Sequence, residues 1–104
     1  MTQKSELEAL LYAQVKNAGL PEPLLQFRPI EGRRWAVDFT WGSGLIVEVE
    51  GGLYQAASGH RSMTGVMRDI AKYNALTLAG WRVLRATAEM IYSGEALTMI
   101  KGAL

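Results

Sequence analysis

The 104 residues include no cysteine and one histidine, which argues against disulfide staples, thiolate metal sites and a histidine-based zinc cage. With 49% hydrophobic and 20% charged residues, the chain has the composition of an ordinary globular protein, and its length suits one core and a single domain over residues 1–104. A net charge of +1 is low for a protein that only coats nucleic acid, although basic residues recur in the segments 28–34, 61–72 and 82–85.

No apolar run approaches the roughly 20 residues of a membrane span. The opening residues Thr2, Gln3, Lys4 and Ser5 do not read as a basic and then apolar leader, so a cytoplasmic protein with no membrane partner is expected.

Over residues 5–18, Leu7, Leu10, Leu11 and Val15 recur at spacings of three and four, which predicts a first helix with Ser5 and Glu8 as a capping box. Gly19 ends it, and Pro21 and Pro23 keep the next stretch extended, as loop or short edge strand. Residues 34–41 alternate, with Trp35, Val37, Phe39 and Trp41 on one face and Ala36, Asp38 and Thr40 on the other. Gly42, Ser43 and Gly44 supply a turn. Beyond it Leu45, Val47 and Val49 alternate with Ile46, Glu48 and Glu50 up to Gly51 and Gly52, completing a β-hairpin.

Small and polar residues dominate 53–65, which predicts an exposed, mobile loop carrying His60 and Arg61. Thr64 is placed to cap a helix running to Ala79, with Val66, Met67, Ile70, Tyr73 and Leu78 on its buried side and Gly80 as its stop. A strand over 81–85 follows, and the order strand, helix, strand implies a right-handed crossover that lays it parallel to a hairpin strand. Thr87 and Ser93 then read as caps of short C-terminal helices packed through Met90, Ile91, Leu97 and Ile100. The expected fold class is α/β, a central mixed sheet flanked by helices.

The chemistry turns on parity. Glu48 and Glu50 share a face of their strand, and Asp38 points away from the apolar side of its own, so the hairpin gathers three carboxylates. Acids at close range repel by several kcal/mol at intermediate dielectric unless protons or a cation neutralise them. A hard divalent cation suits such oxygen ligands, and magnesium uses one or two carboxylates while keeping sites for water and a substrate phosphate. Acids on a solvated strand face are the blander alternative. Against it, Ala36 and Ile46 on the same face are apolar, and a helix covering that face would bury the acids.

Asp38, nine intervening residues, Glu48-Val49-Glu50-Gly51-Gly52, then His60, then Asp69, Lys72, Tyr73 and Asn74, and finally Gly80-Trp81-Arg82-Val83-Leu84-Arg85 form an ordered set. That set resembles the PD-(D/E)XK nuclease superfamily, above all small members similar to very-short-patch-repair endonucleases and phage-borne recombination or homing nucleases. The resemblance implies a restriction-endonuclease-like fold. It further implies that Asp38 and Glu48 bind Mg2+, with Mn2+ able to substitute and the Val49 carbonyl as a further ligand. The sequence departs from the signature where Glu50 stands in place of the motif lysine. Two substitutes are open: Lys72, on the following helix, or His60 activating water. The helix-1 glutamate of the family corresponds to Glu8, with Glu6 the alternative.

The implied function is metal-dependent DNA endonuclease activity in recombination or repair, on branched or structured DNA, with Arg33, Arg34, Arg61, Arg68 and Arg82 as phosphate contacts. Symmetric cutting of both strands would require a homodimer. The competing reading is a non-catalytic nucleic-acid-binding or interaction protein that retains the fold.

Overall fold

The computed structural model describes residues 3–51 and 63–104. Its elements are α1 (Lys4–Asn17), β1 (Leu24–Phe27), β2 (Val37–Thr40), β3 (Leu45–Glu50), α2 (Met63–Leu78), β4 (Arg82–Thr87), α3 (Ala88–Ser93) and α4 (Glu95–Ala103). The strands form one mixed sheet in the order β1-β2-β3-β4. The first three run antiparallel to their neighbours, and β4 lies parallel to β3, paired from Leu45↔Arg82 to Glu50↔Thr87. This is the α/β arrangement expected, with the parallel return after α2.

Helix α1 forms because Leu7, Leu11 and Val15 recur on one face, and all three are buried against the sheet. Removing each of them from water contributes about 1.5–3 kcal/mol. The helix starts at Lys4 on an extended Gln3 with no side-chain cap, so the Ser5–Glu8 capping box does not form. The chain enters the helix two residues too early for it, with Gln3 rather than Ser5 at the N-cap, which leaves the Glu8 carboxylate free to turn toward the sheet. Gly19, at φ 73°, turns the chain out of the helix.

The main core lies on the α1 side of the sheet. Phe39, Trp41, Leu45, Val47 and Val49 pack there with Ala86, Ile91, Ala96 and Ile100, so α1, α3 and α4 cover one face together. The Trp41 indole N–H donates to the Pro21 carbonyl at 2.8 Å. Thr87 caps α3 by accepting from the Met90 amide at 3.2 Å. The N-cap of α4 is Gly94 in the left-handed region rather than Ser93, whose hydroxyl instead accepts from the Glu95 amide at 3.2 Å.

On the other face Val37, Ile46 and Leu76 make a smaller core, with Phe27, Ile30, Tyr73, Trp81 and Val83 around it. Two expectations fail here. Strand β2 begins at Val37, not at 34, and Val37 does not share a face with Phe39 and Trp41. The alternation breaks at Asp38, where regular pairing with β3, present at Phe39↔Val47 and Thr40↔Ile46, stops. Trp35, left outside the strand, is half-buried beneath the Arg33 guanidinium at 4.6 Å.

Helix α2 also differs from the expected orientation. It starts at Met63, so Thr64 lies inside its first turn. Met67, Ile70 and Leu78 are exposed, and the inward stripe runs through Asp69, Lys72, Tyr73 and Leu76. Counting apolar residues misplaced the buried face because charged side chains occupy part of it. Among the described residues, no helix is long and apolar enough to cross a membrane.

Candidate active site

Asp38, Thr40 and Glu48 are the buried polar or charged residues among those described, with Asp38 3% and Glu48 5% exposed. Thr40 is satisfied within the hairpin, its hydroxyl donating to the Leu45 carbonyl at 2.8 Å. The two acids sit where β2 and β3 separate. There Val49, paired with Ala86 on β4 but with no partner in the β2 register, donates its amide to Asp38 Oδ2 at 2.7 Å, so a carboxylate takes the place of a ladder carbonyl.

Asp38 Oδ1 faces α1 and β1. Lys4 Nζ donates to it at 2.9 Å and Gln26 Nε2 at 3.3 Å. Gln26 Nε2 also reaches Glu8 Oε1 at 3.0 Å, which ties the helical glutamate to the same cluster. Burial, then the hydrogen bond and negative charge of Asp38, raise the Glu8 carboxyl pKa. Burial alone would raise Asp38 as well, but hydrogen bonds from Glu8, Lys4 and the Val49 amide hold it below its usual value. Gly51 permits this crowding: a Cβ there would fall 2.6 Å from Lys4 Cβ and 3.0 Å from its Cα.

Glu48 faces the α2 side, directly beside Asp38 and close enough to interact with it. Lys72 descends from α2, donates to the Glu48 carboxylate, and also donates to the Ala36 carbonyl at 3.1 Å. Burial raises the Glu48 pKa to about 6, because desolvation and the Asp38 charge outweigh the attraction of Lys72.

Glu50 does not join this pair, contrary to the expected convergence of three acids. It accepts from Arg85 Nε at 2.5 Å and from the Tyr73 hydroxyl at 3.5 Å. The Arg85 guanidinium also lies 4.7 Å from the Tyr73 ring centre. Burial and the charges of Glu48 and Glu50 push the Tyr73 phenol well above its ordinary pKa, so it stays a neutral donor. Among the described residues, no three acidic or histidine side chains form a group that could hold a metal ion.

The other expected residues are scattered. Glu6 is exposed on α1. Arg33, Arg34 and Arg68 are exposed, and Arg82 is at the far end of the sheet, opposite Leu45, donating to the Ala103 carbonyl at 3.1 Å. Glu48 instead pairs along the ladder with Arg85, which the sequence reading did not single out. His60 and Arg61 lie outside the described residues. Lys4 and Gln26 were also missed. Lys4 has a local signal, its i,i+4 spacing to Glu8. Gln26 has none, since both of its partners come from distant segments.

Two clefts border this region, one lined in part by Asp38 and the other in part by Tyr73 and Arg85, the partners of Glu50. One, of about 340 Å³, is walled by Ala9, Tyr12, Leu25 and Phe39, with Glu8, Gln26 and Asp38 as its polar groups. The other, also about 340 Å³, is on the α2 side between Val66, Asp69, Ile70, Tyr73, Asn74 and Arg85. The Asp38–Glu48 pair offers only hard oxygen donors, and two carboxylates are what a magnesium ion takes from a protein when water and phosphate complete its shell. The donor set therefore fits that ion without a third acid. Comparison with protein-family models, with curated proteins and with solved structures gave no match.

Proposed function

We propose that this chain is a small metal-dependent endonuclease that hydrolyses phosphodiester bonds in DNA, with a restriction-endonuclease-like core of the PD-(D/E)XK type. The observation that carries the reading is the buried Asp38–Glu48 pair, with Lys72 brought onto Glu48 by the helix that follows β3. Two adjacent buried acids are expensive to maintain in a fold, and such sites are where function concentrates.

Asp38 and Glu48 would hold Mg2+, or Mn2+ in its place, and the ion would supply an activated water and charge stabilisation at the phosphate. Lys72, fixed by Glu48 and the Ala36 carbonyl, places an ammonium beside the reacting phosphate, where it offsets developing negative charge. It fills the role left open by Glu50 at the motif position. Arg85, on the strand next to Glu48, adds a phosphate-binding cation on the α2 side, with Arg68 exposed on α2 itself. The exposed apolar residues Met63, Met67 and Ile70 on α2 suit a homodimer that would cut both strands.

A plasmid nicking assay tests the reading. Wild type with Mg2+ is expected to nick, and both Asp38→Asn and chelation are expected to abolish it; equal activity in Asp38→Asn and wild type would remove the assignment. Glu50, standing where the motif lysine is expected and held by Arg85, favours a second reading, a nucleic-acid-binding protein that keeps the fold without catalysis. That reading is supported if DNA binding persists with no metal-dependent nicking.

A further inference from the structure

Gln26 is the non-glycine residue with a positive φ, 52°, among the described residues. A side chain with a Cβ adopts that backbone at a cost, and such strain persists where the surrounding structure over-determines it. It sits at a distinct place in the sheet. Strands β1 and β2 pair at Leu25↔Phe39 and at Phe27↔Val37, which sets Gln26 opposite Asp38. Leu25 and Phe39 line the cleft on the α1 side, whereas Phe27 and Val37 pack on the α2 side. Residues two apart on a regular strand would share a face. Both strands therefore exchange faces across the Gln26–Asp38 position, and both side chains at the crossing turn to the same place.

There the Gln26 amide bridges two acids, donating to Glu8 at 3.0 Å and to Asp38 at 3.3 Å. Lys4 also reaches both carboxylates, at 4.0 Å and 2.9 Å, but it is a cation and a competitor for any metal that enters. A neutral amide can hold the acids while a divalent ion binds, without adding charge repulsion to the site.

We propose that Gln26 is a positioning residue that, braced on Glu8, orients Asp38 for a divalent cation, and that the strained backbone at this position is retained for that purpose. The inference rests on the metal-dependent reading above.

Glycine separates the two roles of the position, because it takes φ 52° without strain and carries no amide side chain. Calorimetric titration with manganese chloride alone, together with thermal melting, is performed on wild type, Gln26→Gly, Gln26→Ala and Asp38→Asn. Gln26→Gly is expected to melt at or above the wild-type temperature and yet bind Mn2+ about tenfold more weakly, the loss typical of removing an outer partner of a metal ligand. Gln26→Ala should lose similar affinity and melt lower than Gln26→Gly. If Gln26 served only the fold, the relaxed glycine variant would bind at least as well as wild type, and that result overturns the proposal while leaving the nuclease reading standing. If wild type binds no Mn2+ and matches Asp38→Asn, the metal reading itself fails and the role of Gln26 fails with it.

Discussion

Replacing Lys72 with methionine keeps most of its hydrocarbon stem and removes the cation from Glu48. In the native protein the Glu48 pKa is raised from 4.5 to about 6, so the folded state holds this proton more tightly than the unfolded chain. The associated stability is fully present below pH 4.5 and is lost as pH rises through about 6. At about 1.4 kcal/mol per pH unit, ionising Glu48 already costs the wild-type fold about 2 kcal/mol at neutral pH. Without Lys72 the folded-state pKa rises further, and the carboxyl escapes an unpaired charge by keeping its proton. The extra destabilisation from this source is therefore near zero below pH 6, about 1 kcal/mol at pH 7 and up to about 3 kcal/mol at pH 8, bounded by the roughly 3–5 kcal/mol of a broken buried pair. The Ala36 carbonyl also loses its donor, a pH-independent cost of about 1 kcal/mol. Urea unfolding of wild type and Lys72→Met at pH 5, 7 and 8 measures the difference directly. A ΔΔG that is flat with pH, or largest at pH 5, would show that Lys72 does not neutralise Glu48 and would refute the electrostatic account of the site.

Two other outcomes follow from the same geometry. Gly51→Ala forces a Cβ against the Lys4 backbone, and the shift should cost about 1–3 kcal/mol in urea unfolding; an unchanged midpoint would mean that this approach is not constrained. Mn2+ binding by wild type should fall as the pH drops through about 6, where Glu48 takes up its proton, and should level off above pH 7; calorimetry showing the same affinity at pH 5 and pH 7.5 would exclude Glu48 as a ligand.

Much of the fold was legible because its elements carry local signals. The apolar spacing of Leu7, Leu11 and Val15, the Gly42–Gly44 turn and the small residues around Gly80 each mark a boundary or a buried face. The acids were legible too, since Asp38 and Glu48 lie within the two hairpin strands. Parity then misled at two points. It put Val37 beside Phe39, because nothing in the sequence marks the exchange of faces at Gln26 and Asp38. It also gave Glu50 to the metal, whereas Arg85, thirty-five residues away, takes that carboxylate. The buried face of α2 was misplaced for a related reason: a helix that delivers a lysine to a buried acid must spend inward positions on polar side chains, so its apolar pattern no longer reports which way it faces.

The two lysines at the site differ in a way that orders events if a cation enters. Lys4, on Asp38, has 48% of its side chain exposed and comes from the first turn of α1, so it can swing into water with little loss of packing. Lys72, on Glu48, is 15% exposed, pinned in addition by the Ala36 carbonyl and packed near Tyr73. Displacing it would strand a desolvated ammonium. On the proposed reading, a divalent ion held by Asp38 and Glu48 would take the place of the Lys4 charge while Lys72 stayed, so one ammonium would remain at the site and the Asp38 side would open toward the cleft lined by Tyr12 and Leu25. On the proposed reading, substitution of Lys4 by methionine removes a competitor and Lys72→Met removes a participant, so the first variant should bind Mn2+ at least as tightly as wild type while the second loses nicking activity.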